Sequence, residues 1–140
     1  MQFITPSGLL KKALAADAVA SGALAILQLA MPDALGRQLL LPRALLFETG
    51  VFLVFYTVLL VVLARSPRVW AGLITFVVIG NVGWAIGCAW LPTAGNPQPS
   101  ALGVAYLAMQ AAAVLVFATL EYRGLRSSVA HPGFATSSAP

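Results

Sequence analysis

Four uninterrupted apolar runs, at residues 13–31, 44–64, 69–91 and 101–120, decide what this chain can become. A bilayer core of about 30 Å is crossed by about 20 residues of helix rising 1.5 Å each. Each run has that length and carries at most one acidic side chain. In lipid the backbone must satisfy its own hydrogen bonds, so such a run is helical; a barrel strand would alternate instead. The expected fold is all-α: an up-down bundle of four transmembrane helices, near residues 6–31, 44–64, 69–91 and 101–122. Residues 1–126 form the membrane domain, and residues 127–140, rich in Ser, Ala, Gly and Pro, form a disordered tail.

Only 9% of the 140 residues are charged, against about 25% in soluble domains. The chain leaves no room for a soluble catalytic domain. Its net charge of +4 does not point to nucleic acid, because the eight Lys and Arg lie at helix ends and form no stripe. They set orientation. Lys11, Lys12, Arg65, Arg68, Arg123 and Arg126 fall on one side, and only Arg37 and Arg43 on the other. The positive-inside rule then puts both termini in the cytoplasm. Trp70 and Trp90 mark the two interfaces. The composition suggests a bacterial inner membrane, with the lipid bilayer as the first partner.

The chemistry that the residues exclude is broad. The lone cysteine, Cys88, has no partner for a disulfide, and the lone histidine, His131, lies in the tail. No haem ligand sits inside the bundle, and Asp17, Asp33, Glu48 and Glu121 are too few and too scattered for a di-iron site. No nucleophile triad, phosphate loop or metal spacing is visible, so no cofactor, no metal and no enzymatic activity are expected. Lys11 and Lys12 before an apolar run resemble a signal peptide, but Asp17 interrupts the run and cleavage is not expected.

Local signals place the helix ends. Thr5-Pro6 reads as an N-cap and first helical position. Residues 32–43 read as a surface loop, and Pro92 opens a charge-free loop that includes Gly95, Asn96 and Pro97. The four-residue link Arg65-Ser66-Pro67-Arg68 predicts that helices two and three are antiparallel neighbours.

Polar residues inside the runs are the candidate site, because each is costly in lipid. Asp17, Ser21 and Gln28 project within roughly 40° of one another on helix one. Glu48 stands in helix two with Thr49 beside it and Tyr56 two turns further in. Asn81 and Gln110 fall near the midplane on helices three and four. Facing inward, these residues make a broken polar path for protons or a small cation. Facing locally, Asp17 pairs with Arg65, Arg68 or Arg123, Glu48 with Arg37 or Arg43, and Asn81 with Gln110. Small residues form a second set: Ala18 and Gly22 on helix one, Gly80, Gly83 and Gly87 on helix three, and Gly103 on helix four. Their expected role is close helix packing or self-association. Trp84, Phe47, Phe52 and Phe55 supply aromatic surface.

Ile79-Gly80-Asn81-Val82-Gly83-Trp84, after a short Arg-containing turn, and the segment from Ala16 to Gly22 resemble small uncharacterised four-helix bacterial membrane proteins. The likeness runs from about Lys11 to Arg126 and implies a fold and a location, without an activity. The four-helix layout is also similar to small multidrug resistance transporters. Those carry a glutamate in the first helix, where Asp17 stands here without the surrounding motif. The first functional expectation is a non-catalytic inner-membrane protein that self-associates or serves as an accessory subunit. The alternative is a proton-coupled transporter or channel, working as a homodimer through Asp17 and Glu48. A third is a binder of a lipophilic ligand, using Trp84, Asn81 and Tyr56.

Overall fold

The computed structural model describes residues 2–94 and 98–130. Gly95, Asn96, Pro97 and His131, which the sequence assigns to a loop and a tail, lie outside the described residues. The elements run β1 Phe3–Thr5, α1 Gly8–Ala30, α2 Pro32–Leu39, α3 Arg43–Arg65, β2 Val69–Trp70, α4 Ala71–Ala94, α5 Ala101–Arg126 and β3 Val129–Ala130. Helices α1, α3, α4 and α5 are each long and apolar enough to span a membrane. The protein is an all-α, four-helix, multi-pass membrane protein.

The end of the bundle where α1 begins and α5 ends is closed by a feature that hydropathy does not reveal. β1 pairs antiparallel with β2 on one side and β3 on the other. Ile4 lies opposite both Val69 and Ala130, and Ile4 and Val69 join the core with Leu10, Leu14, Leu60, Leu63 and Ile74. This corrects three boundaries. Thr5 is a strand residue, so Thr5-Pro6 does not start the helix. Residues 69–70 belong to β2. The segment after Arg126 begins as a turn and strand, because its backbone finds ladder partners in β1.

The true cap of α1 is Ser7. Its Oγ accepts from Leu10 N at 3.2 Å and donates to the Gly124 carbonyl at 2.9 Å. One hydroxyl thus caps α1 and ties it to the end of α5. Ser7→Ala is expected to lower stability by about 1–2 kcal/mol in a chemical unfolding titration in micelles.

The opposite end is also better ordered than a loop. Residues 32–39 form α2, whose Leu35 and Leu39 pack with Leu41, Leu46, Cys88 and Leu107. Leu40, in the left-handed region at φ 52°, reverses the chain into α3. An exposed ion pair, Arg43 Nε to Asp33 Oδ1 at 2.7 Å, spans that turn. Ser100 caps α5 through Gly103 N and donates to the Gln38 carbonyl at 2.7 Å. α4 does not end at Pro92 but continues to Ala94.

Helix pairing departs from the expectation drawn from the 65–68 link. α1 packs along α3 and also against α5, and α5 packs along α4, while α3 and α4 scarcely approach. Residue size explains the pattern. Gly50 of α3 faces Leu29, and Gly22 of α1 faces Thr57, so α1 and α3 lie close. Between α3 and α4 stand Phe52 and Trp84, stacked at 5.9 Å between ring centroids, with Tyr56 stacked 6.1 Å from Phe52. Large rings hold those backbones apart, and α1 and α5 form the back wall of the resulting gap.

Candidate functional site

One buried polar cluster joins all four transmembrane helices. Asp17 of α1 is 1% exposed and Glu121 of α5 is 0% exposed. Asn81 of α4 stands between them: its Nδ2 donates to Asp17 Oδ2 and to Glu121 Oε2, both at 3.0 Å. Both amide protons are thereby used, which fixes the orientation of the side chain. Ser21 Oγ donates to Asp17 Oδ1 at 2.9 Å. The Tyr56 hydroxyl of α3 lies 3.1 Å from both Asp17 Oδ2 and Asn81 Oδ1. With one proton, it donates to only one of them at a time.

The electrostatics of the cluster are one-sided. The two carboxyls accept from the same amide nitrogen, each at 3.0 Å. Among the described residues the only ion pair is Arg43–Asp33, far from the cluster. Glu121 Oε1 is buried and receives no hydrogen bond among the described residues. An unpaired buried charge is strongly unfavourable, so two carboxyls here call for a compensating proton or cation.

A cavity of about 280 Å³ opens onto this cluster in the gap between α3 and α4. Asp17, Ser21, Asn81 and Gln110 give it a polar floor, and Phe52, Tyr56, Phe76, Trp84 and Phe117 supply aromatic walls. Glu121 does not line it; this carboxyl sits behind Asn81. A second cavity of about 410 Å³ lies toward α2 and has no charged lining. There Gln28 Nε2 donates to the Tyr106 hydroxyl at 2.8 Å, and Thr49 Oγ1 lies 2.9 Å from Gln28 Oε1. Trp84 and Gln110 line both cavities, joined by a Trp84 Nε1 to Gln110 Oε1 hydrogen bond at 3.1 Å.

The structure therefore assembles Asp17, Ser21, Tyr56 and Asn81 in one place, and Gln28 and Gln110 nearby. It breaks the pairings expected from local partners. Asp17 meets no arginine, and Asn81 and Gln110 bond to other groups. Glu48 is the clear correction. It is exposed on the outer face of α3, away from the cluster, because five residues into that helix its side chain points opposite to the face that packs on α1. Glu121 takes its place. Gln110 and Glu121 are eleven residues apart, three helical turns, and so share a face. That spacing was available in the sequence, but Glu121 lies one residue past the fourth apolar run.

The glycines divide similarly. Gly103 packs directly on the Leu39 carbonyl, and Ala18 is buried in the core. Around Gly80, Gly83 and Gly87, beyond the adjoining residues and the backbone of α4 itself, no atom of the described residues lies within 4 Å of where a Cβ would stand. They do not mediate helix packing within the chain; they line the cavities instead. Gly124, not singled out by spacing, makes the close contact, with Leu10 Cα 2.7 Å from an added Cβ.

Comparison with known proteins found no matching family model, curated protein or solved structure. The chemistry of the site rests on its geometry.

Proposed function

We propose that this protein is a non-enzymatic transporter of a bacterial inner membrane, in which the Asp17–Glu121 pair carries protons and couples them to passage of a small solute. The observation that supports this most directly is the pair itself: two carboxyls, buried in a membrane bundle, sharing one amide and lacking a basic partner among the described residues. A proton held between them supplies the donor that Glu121 Oε1 lacks, and a cationic solute replaces that proton at equal charge. Tyr56, able to donate to either neighbour, can follow the change. The positive-inside count supports cytoplasmic termini, so the pair lies in the cytoplasmic half of the membrane.

The test is dissipation of an imposed pH gradient in proteoliposomes, followed by trapped pyranine with the voltage clamped by potassium and valinomycin. The wild type is expected to dissipate the gradient faster than empty vesicles. Asp17→Asn and Glu121→Gln are each expected to slow it by about tenfold or more, equivalent to about 1.4 kcal/mol at the barrier. Glu48→Gln is expected to match the wild type. Unchanged flux in both Asp17→Asn and Glu121→Gln refutes the proposal.

A packing role, as a self-associating or accessory subunit, is favoured by a different observation: the open glycine surface of α4 at Gly80, Gly83 and Gly87. Native mass spectrometry of gently extracted protein separates the two, since a stoichiometric foreign subunit supports the accessory role.

A further inference from the structure

We propose that the cavity between α3 and α4 binds a small organic cation, an ammonium carrying one ring or a short alkyl body, which enters sideways from the lipid; this rests on the proposed proton-coupled role of the same carboxyls. Three features carry it. The lining is chemically split, with Asp17 as the carboxyl that faces the space and aromatic rings on the other sides. An ammonium beside a carboxylate and against ring faces gains from both, and the cation–π part strengthens where water is excluded. The volume, about 280 Å³, lies just under the range of drug-sized sites and suits a body of one ring. The rim is open toward the bilayer: Phe52 and Phe76, on facing helices, are 55% and 62% exposed. A charged solute with an apolar body partitions into the interface and reaches such a rim without crossing the polar end of the bundle.

The geometry also divides the labour between the carboxyls. Asp17 touches the ligand, whereas Glu121, behind Asn81, is a positioning and proton-holding group. Gly80 lines this cavity and Gly87 the neutral one, and a Cβ added at either position meets no neighbouring segment within 4 Å. Gly80→Leu therefore fills the proposed site without forcing the backbone, and Gly87→Leu is the matched control.

The experiment is equilibrium dialysis of the full-length protein in micelles against labelled benzyltrimethylammonium, with empty micelles as blank and neopentylbenzene as neutral competitor. Saturable binding is expected for the wild type and Gly87→Leu. It is expected to weaken by about tenfold or more, equivalent to about 1.4 kcal/mol, in Gly80→Leu and Asp17→Asn. The loss should be greater in Asp17→Asn than in Glu121→Gln. Thermal unfolding of Gly80→Leu at the wild-type temperature shows that the loss is local. Absence of saturable binding, binding that survives Gly80→Leu, or equal competition by neopentylbenzene overturns the proposal. Carboxyl-dependent proton flux without ammonium binding overturns the ligand class alone; ammonium binding with flux indifferent to Asp17 and Glu121 overturns the coupling alone.

Discussion

Asn81→Leu is expected to lower the unfolding free energy by about 2–4 kcal/mol, a value set by stranding a buried polar group. Asn81 Nδ2 is the only hydrogen-bond donor that reaches Glu121 among the described residues, and it also serves Asp17. Leucine fills a similar volume but leaves two carboxyls facing each other, with Asp17 retaining Ser21 and Tyr56 and Glu121 losing its amide donor. The cost comes from the stranded acid rather than from lost packing. Removing that acid should therefore restore stability: Asn81→Leu with Glu121→Leu should be more stable than Asn81→Leu alone, since a fully apolar replacement tolerates burial. Denaturant titration followed by circular dichroism in micelles checks both variants. An Asn81→Leu protein as stable as the wild type would show that the amide is not what holds the cluster.

Gly124→Ala is the second large effect, expected to cost about 1–3 kcal/mol by overpacking. A methyl group at position 124 would stand 2.7 Å from Leu10 Cα and 2.8 Å from Leu10 N. Both are backbone atoms, so relief requires α1 and α5 to separate at the point where Ser7 ties them together. Gly83→Ala should do the reverse. No neighbour lies near that position, and replacing a helical glycine by alanine adds up to about 1 kcal/mol. Thermal unfolding of the two variants side by side reads the difference. Equal effects of opposite sign to these would sink the assignment of Gly124 as the contact glycine.

The Gly83–Gly87 spacing has the form of a packing motif, yet it lines a cavity, with Leu45, Leu46 and Thr49 of α3 across the space and no side chain in contact with it. Gly124 belongs to no such motif and makes the close contact. Small residues permit close approach, but which helix approaches is decided by the remaining faces, here by Phe52, Tyr56 and Trp84 wedging α3 from α4. Glu121 shows the same limit. Hydropathy ends the fourth run at residue 120, whereas α5 continues to Arg126 and buries Glu121 completely. Glu48 sits well inside its apolar run and is nevertheless exposed, because position along a helix gives depth and says nothing about facing.

The membrane-spanning character, the number of spans and the shared face of Asp17, Ser21 and Gln28 were legible in the chain. Length, hydropathy and helical period follow from the chain and the solvent alone. Tertiary structure alone decided that Asp17 meets Glu121 across Asn81, that α3 and α4 stand apart around a cavity, and that a three-stranded sheet closes one end. Those outcomes depend on how side chains from separate helices fit together, and the fit is a property of pairs of surfaces rather than of any one segment.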